Sequence, residues 1–515
     1  MKIDFELDSK QEFYHQETQR ALQWLCTIWD AEKKGWAWVQ FIHPNEQNTA
    51  EVISTLIDYI EELSEAEIDI IVESAKHWLL DNSRPKISID FSWVLLALQK
   101  IRTCPQVSCK LDMQQVDQAA KYCADWLCRH RNDEQAGSIT RLQDNDGIKG
   151  CGWGDNDTEI SGTIRTALAV TVLNREVRYL CDRKEALEAA GQTEAAAALD
   201  KEAAPYRFAA QKGLQWLLSV QNADGGWGNL DKRCVNSNYQ VNHSFTYLDL
   251  KYQCNSNPAS TGYVMIALKE AHPDDYDKYL SKASDYLHKS QKPNGGWSIF
   301  TEIGVREGLR YTFRHFSTAW AIQGMIVSHV VEYNDECIIN GFSYLASLQD
   351  PNYGGWKSSS NADNYTWATC NALDTIRLLK NNLSSVKAQN FLKIVCEWWE
   401  MKKESANYSI KIKKSYFAFN GPTGLAFCVI FSLMISLMLY LVYNLISPIM
   451  ANQTELLTKM VYSVLTILTA LILGLPWIVY VKNVFRKQVD GWIDAIGWVY
   501  GIITGFVLVL YQFII

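Results

Sequence analysis

The chain has 515 residues, of which 48% are hydrophobic and 21% are charged, and its net charge at neutral pH is −8. This length allows two to four domains, and an acidic balance without a basic stripe argues against nucleic acid as a partner. The 13 cysteines are scattered and lack a complete zinc-binding pattern. We therefore expect reduced thiols packed in a cytosolic domain.

The first 400 residues are predicted to contain six pairs of helices. The first helix of each pair is short and amphipathic, and the second is rich in small residues and poor in charge. Such pairs can form an open solenoid or a closed ring in which the second helices build an inner barrel. The first helices carry an aromatic–leucine pair at Trp24, Trp78, Trp126, Trp216, Tyr286 and Tyr344, and the second helices are predicted at 48–60, 90–101, 161–173, 259–271, 316–327 and 365–379.

Three turns between helices repeat one pattern, a glutamine, a polar stretch and then Gly-Gly-Trp. The glutamine can hydrogen-bond backbone groups at a helix end, the glycines allow a tight backbone path, and the tryptophan can pack over the junction. We therefore interpret the pattern as a structural clamp between repeats. Its residues are Gln221 and Trp227, Gln291 and Trp297, and Gln349 and Trp356.

These turns, together with Lys212-Gly213, Trp216 and the segments "FSTAWAIQGM" and "ISGTIRTALAV", resemble the QW repeat. This is the repeat of terpene cyclases, such as squalene-hopene cyclase, and of protein prenyltransferase beta subunits. The resemblance covers roughly residues 20–380. It implies an all-α fold, an (α/α)6 toroid over 1–400, with a central cavity that holds an isoprenoid in both families.

Class II cyclases of this type need a protonated carboxylic acid, usually in an Asp-x-Asp-Asp run, and an unpaired acid in an apolar cavity has the raised pKa required. The chain has no such run. The nearest catalytic candidates are Asp155 and Asp157, followed by Glu159, and the single Asp90 at the start of a second helix. The alternative is that these carboxylates are solvated turn residues and a helix N-cap.

The prenyltransferase resemblance implies zinc ligands, an Asp-x-Cys and a later His, on the fifth and sixth inner helices. Here Arg314 and Phe316 stand at the Asp and Cys positions, and no histidine precedes the sixth inner helix. Neither zinc nor magnesium is supported by a motif. We therefore predict no metal site and no cofactor.

A basic cluster lies in "VREGLRYTFRH", which is predicted to be a loop entering the fifth inner helix. Arginine side chains suit diphosphate oxygens, so the cluster is a candidate ligand-binding site. The alternative is a solvated loop whose arginines pair with Glu302 and Glu307. The candidate ligand-binding residues are Arg306, Arg310, Arg314 and His315, with Tyr239 and His243 on the same rim.

Three apolar runs follow, at about 425–446, 460–481 and 493–515, after a basic linker at 401–424. Each is long enough to cross the hydrocarbon core of a bilayer, and buried core helices are the alternative. Basic residues precede the first run and follow the second. By the positive-inside rule we expect a three-span membrane protein whose toroid and N-terminus are cytoplasmic and whose C-terminus is on the opposite side.

These observations predict a membrane-anchored protein that handles an isoprenoid or another lipid, and they leave open whether it is an enzyme. The alternative is a non-catalytic toroid that acts as a sensor or binds a protein partner, with the membrane spans as effector, as in a membrane-perturbing defence protein. The contents of the central cavity discriminate between an enzyme and a binding module. An enzyme needs an aromatic-lined pocket with an acid or a basic diphosphate site, whereas a binding module can fill it with side chains.

Overall fold

A computed structural model describes residues 8–39, 42–81, 85–132, 151–154, 160–236, 245–271, 276–306, 309–329, 335–359 and 365–382. The chain divides into two compact units, Met1–Trp399 and Glu400–Ile515. The predicted linker and the three predicted membrane spans fall in the second unit and lie outside the described residues. Within the described ranges, no helix combines the length and apolar character needed to cross a bilayer.

The described part of the chain is mostly helical, as predicted. The helices in chain order are α1 (Asp8–Thr27), α2 (Glu46–Asp58), α3 (Glu65–Ser74), α4 (Ser88–Thr103), α5 (Pro105–Ser108), α6 (Met113–Arg129), α7 (Thr163–Ala189), α8 (Thr193–Ser219), α9 (Tyr247–Cys254), α10 (Pro258–Ala271), α11 (Asp277–Ser290), α12 (Ser317–Ser328), α13 (Glu336–Ser347) and α14 (Thr366–Asn382). A π-helical turn, Ala75–Leu79, continues α3, and 3-10 turns occur at Ile60–Glu62 and Lys232–Asn236.

The second helices of the pairs form a closed inner ring rather than an open solenoid. In order around the ring, α2 contacts α4, α4 contacts α7, α7 contacts α10, α10 contacts α12, α12 contacts α14, and α14 returns to α2. The Tyr59 hydroxyl, just after α2, donates a hydrogen bond of 2.7 Å to the backbone oxygen of Leu373 in α14. Gly262 and Gly324 let α10 and α12 approach so closely that a Cβ atom on either would clash with the facing backbone.

The glutamine of each Gly-Gly-Trp turn joins consecutive outer helices. Gln221 Nε2 donates to the backbone oxygen of Gly225 in its own turn (2.8 Å) and to that of Tyr279 in α11 (3.1 Å). Gln349 makes the corresponding bond to Glu17 of α1 at 2.9 Å. Since this last bond runs from the end of the repeat region to its beginning, the outer helices are also joined into a ring.

The tryptophan of each turn is buried and makes two directional bonds. Trp227 Nε1 donates to the Leu217 oxygen at the end of α8 (2.7 Å), and its backbone N–H donates to the Thr261 hydroxyl in α10 (3.1 Å). Each tryptophan therefore links an outer helix to the following inner helix. The same two bonds recur at Trp36 (to Leu25 and Thr49), Trp153 (to Leu127 and Thr166), Trp297 (to Leu287 and Thr318) and Trp356 (to Leu345 and Thr369).

The segment predicted to be a loop before the fifth inner helix is a β-hairpin, so the all-α prediction is wrong here. Strand β1 (Phe300–Arg306) pairs antiparallel with β2 (Leu309–His315), with Phe300 opposite His315 and Glu302 opposite Phe313. The physical reason is the alternation of side chains, since period-2 patterning favours a strand. Along β2 the exposed Thr312 and Arg314 alternate with the more buried Phe313 and His315.

Candidate functional site

A cleft opens where the N-terminal turns of the inner helices meet the end of the hairpin. Its walls are mainly aromatic, and the rings of Tyr263 and Trp320 stack with centroids 3.5 Å apart. The free volume is about 10 Å³, which is the room that one water molecule needs. The aromatic residues lining the cleft are Trp93, Tyr263, Phe313, Phe316, Trp320 and Trp367.

A buried carboxyl group, Glu51 of α2, also lines this cleft. Its side chain is almost fully buried, and Asn371 Nδ2 of α14 donates a hydrogen bond of 2.9 Å to its Oε1 atom. Burial and the nearby Asp374 raise the pKa of Glu51 well above its usual range, although the bond from Asn371 opposes the shift. The surroundings therefore favour the neutral acid. Sequence analysis did not select Glu51, because it is one of three carboxyl groups in α2, with Glu46 and Asp58, and carries no motif of its own.

A second acid, Asp374, lies one helical turn after Asn371, and its Oδ1 atom is buried. Burial raises the pKa of Asp374 to about 7, with Lys100 opposing and Asp58 supporting the shift. Lys100 Nζ itself bonds Asp58 at 2.6 Å. A half-ionised Asp374 near neutral pH disfavours a second charge at Glu51, because two close carboxylates repel in a low-dielectric interior.

The predicted acid Asp90 is buried in the first turn of α4. Burial and the adjacent Glu46 raise the pKa of Asp90 to about 8, against a backbone bond from Lys86 at 3.3 Å. Among the described residues that line the cleft, its helix contributes Ile89 and Trp93 rather than Asp90 itself. Asp90 thus has the raised pKa expected of a proton donor, but it does not line the cleft. The other predicted acids, Asp155, Asp157 and Glu159, lie outside the described residues.

The basic cluster predicted as one ligand site is divided by the hairpin. Arg314 is exposed and lines the cleft. Arg310 is also exposed, but its Nη2 atom is paired with Asp249 at 2.7 Å. His315 also lines the cleft, but it is buried. Of the two arginine side chains of the cluster that the structure describes, Arg314 is therefore the one at the mouth of the cleft. The side chain of Arg306, and Tyr239 and His243, lie outside the described residues.

A buried network ties the hairpin to the toroid. Glu302 of β1 forms an ion pair with Arg165 of α7, and its Oε2 atom is 3.0 Å from His315 Nε2. Asn229 Nδ2 donates a further bond of 3.0 Å to it. Burial would raise the pKa of Glu302, but Arg165 and His315 outweigh it and hold that pKa well below its usual range. Sequence analysis offered Glu302 as a partner for the loop arginines. In the structure Glu302 pairs with Arg165 and His315 instead. Glu307 lies outside the described residues.

Residues 189–372 match the squalene-hopene cyclase C-terminal domain. This segment includes the hairpin and the three Gly-Gly-Trp turns but not Glu51. The chain is 29% identical over 93 residues to squalene–hopene cyclase of Alicyclobacillus acidocaldarius, covering 18% of this chain and 14% of that protein. It is 29% identical over 167 residues to drimenyl diphosphate synthase of Streptantibioticus cattleyicolor, covering 32% and 22%.

These matches support the cyclase-like superfamily. The matched segments span 14% to 22% of the length of these relatives. Among solved structures, the GH76A alpha-1,6-mannanase from Salegentibacter sp. HEL1_6 is similar at 12% identity, covering 70% of this chain and 98% of that chain with a TM-score of 0.46.

Proposed function

We propose that the chain is an isoprenoid cyclase of the proton-initiated type, in which Glu51 protonates a carbon–carbon double bond of a substrate held in the aromatic cleft. The observation that carries the proposal is a buried carboxyl group on the wall of that cleft, whose surroundings raise its pKa. A carboxylic acid becomes a useful proton donor when its pKa is raised toward the working pH.

In the proposed step, the Glu51 O–H bond breaks and its proton forms a C–H bond with one alkene carbon. The other alkene carbon becomes a cation, and a second double bond of the substrate can attack it to close a ring. Trp93, Trp320 and Trp367 line the cleft, and aromatic rings can stabilise a migrating positive charge by cation–π attraction. The Glu51 carboxylate keeps its bond from Asn371. Loss of a proton from the final cation to solvent balances the reaction, and solvent then reprotonates Glu51.

Arg314 is suited to bind an anionic end of the substrate at the mouth of the cleft. A guanidinium group binds phosphate oxygens with two parallel N–H donors. The similarity to drimenyl diphosphate synthase supports an isoprenyl diphosphate as the substrate class. In this arrangement the diphosphate stays outside while the hydrocarbon enters toward Glu51.

The small free volume of the cleft requires a movement before a hydrocarbon can bind. Phe313 of β2 fills part of the space, with its ring centroid 4.7 Å from that of Trp38. Rotation of the Phe313 side chain out of the cleft would make this room and would leave Arg314 at the cleft mouth. The same filled cleft is the observation that favours the second candidate function, a non-catalytic binding module.

The test is turnover by the full-length protein in detergent with farnesyl diphosphate, geranylgeranyl diphosphate and squalene. Products are identified by gas chromatography and mass spectrometry, after phosphatase treatment for the diphosphates. We expect a cyclic product from a diphosphate, lost in Glu51→Gln and retained in the control Glu32→Gln, an exposed site. Binding without turnover of any substrate by the wild type would favour the binding module. Equal turnover by Glu51→Gln would refute the role of this acid.

We also propose that residues 425–515 anchor the protein in the membrane, so that a hydrophobic substrate enters from the bilayer. The length and low charge of the three apolar runs support this proposal. Membrane fractions washed with alkaline carbonate should retain the full-length protein. A tag at the C-terminus should be protected from protease added on the cytoplasmic side, whereas a tag at the N-terminus should be cleaved. Release by carbonate would contradict the anchor.

A further inference from the structure

Away from the cleft, three side chains of different chemistry converge between two neighbouring outer helices. His288 lies in the last turn of α11, Asp335 caps the start of α13, and Cys337 lies in the first turn of α13. Their nitrogen, oxygen and sulfur atoms all lie within 4.8 Å of one another. The proposed reaction uses none of them.

The orientation of the His288 ring leaves one nitrogen facing a negative charge. Nδ1 lies 2.8 Å from the backbone oxygen of Ser284, which can only accept, and 3.4 Å from the Ser284 hydroxyl, so the shorter contact favours a proton on Nδ1. Nε2 then lies 3.1 Å and 3.2 Å from the two carboxylate oxygens of Asp335. In a neutral ring the Nε2 lone pair would point at the carboxylate. Either a second proton on the ring or a cation between the two groups removes this conflict.

Cys337 favours the cation, although its position beside Asp335 also follows from helix capping, since its backbone N–H donates to Asp335 Oδ1 at 2.8 Å. Its thiol adds nothing to an imidazolium–carboxylate pair, but it supplies the third ligand of a metal site. In a tetrahedral zinc site the ligand atoms are separated by roughly 3.4–3.6 Å, so small side-chain rotations bring all three into place. One thiolate and one carboxylate also balance the charge of a divalent ion, and imidazole and thiolate are ligands that Zn²⁺ favours.

We propose that His288 Nε2, the Asp335 carboxylate and Cys337 Sγ bind Zn²⁺, with water in the fourth position. On binding, the Cys337 S–H proton is released to solvent and a zinc–thiolate bond forms. The side chains of His288 and Asp335 are 36% and 31% exposed, which gives the ion a path from solvent.

The site would join α11 to α13 beside the Gln291 clamp, which connects the same two helices. Gln291 Nε2 donates to the backbone oxygen of Cys337 at 2.8 Å, so the metal and the clamp would fix the same turn of α13. This zinc site lies on the outer helices. It is therefore separate from the inner-helix positions at which sequence analysis looked for zinc and found no ligands.

The test uses the full-length protein in detergent, stripped with a chelator and then titrated with Zn²⁺ or with Co²⁺ as a spectroscopic probe. We expect one bound equivalent by elemental analysis, and a thiolate-to-cobalt charge-transfer band in the near ultraviolet. Both should be lost in Cys337→Ser and in His288→Gln. Cys109→Ser, at an exposed thiol, and His77→Gln, at an exposed imidazole, are the matched controls and should keep both signals.

The wild type should also melt at a higher temperature with zinc than without it, and this shift should vanish in His288→Gln, which leaves the buried Cys337 packing intact. Failure of the wild type to bind either ion, or retention of the full equivalent by both ligand variants, would overturn the proposal. His288 and Asp335 would then form a simple ion pair. Loss of cyclase activity does not enter this test, so the two proposals can fail separately.

Discussion

The ring-closing clamp offers a sharp test, because one glutamine bridges the two ends of the repeat region. Gln349 Nε2 donates to the backbone oxygens of Glu17 (2.9 Å) and Gly354 (2.8 Å). Gln349→Ala removes both bonds. Each bond contributes about 0.5–1.5 kcal/mol, so the variant should destabilise the junction by about 1–3 kcal/mol, which corresponds to a roughly 5- to 150-fold rise in local opening.

Hydrogen–deuterium exchange of the full-length protein measures this opening locally. In a closed ring, Gln349→Ala should speed exchange in both α13 and the distant α1. Gln221→Ala, which breaks the equivalent clamp to Tyr279, should instead speed exchange in α8 and α11 and spare α1. Gln23→Ala, at an exposed position of α1, is the control for a surface change. Unchanged exchange of α1 in the Gln349 variant would refute the closed ring.

Three further predictions concern the charges around the cleft. Glu302→Gln leaves Arg165 buried without its carboxylate, and we expect a loss of about 3–5 kcal/mol of stability; an unchanged melting temperature would contradict it. Asp374 has a raised pKa of about 7, so its contribution to stability is present below pH 4 and is lost as pH rises through 7. Asp374→Asn should therefore raise the melting temperature at pH 8 more than at pH 4, and equal shifts would contradict this assignment. Arg314→Ala should raise the KM for an isoprenyl diphosphate and leave squalene unaffected, whereas Arg310→Ala, which loses a surface ion pair, should change neither.

The repeat pattern could be predicted from the sequence because its parts are local. The glutamine, the glycines and the tryptophan of each turn stand within eight residues of one another. Trp36 and Trp153 make the same two bonds as Trp227, but sequence analysis did not identify them as clamp residues. A single glycine directly precedes each of them, and no glutamine stands six or seven residues before either one, since Gln143 is ten residues before Trp153. Only a Gly-Trp pair remained as a signal.

The hairpin and the acid of the cleft were missed for different reasons. In this segment the charged residues drew attention to ligand binding, although the alternation of polar and apolar residues along β2 indicates a strand. Glu51 was missed because the face of α2 that points inward is set by ring closure. Closure of the ring brings α14, with Asn371, against α2. That contact joins residues 320 positions apart, and no local pattern encodes it.

The neutrality of Glu51 is the claim on which the proposed function depends most directly. Infrared difference spectroscopy of the full-length wild type minus Glu51→Gln, at neutral pH in detergent, isolates the signal of this one carboxyl group from those of Asp90 and Asp374. We predict the carbonyl stretch of a protonated acid, which shifts in D₂O. A carboxylate band in its place at neutral pH would show that Glu51 is ionised and would contradict the account.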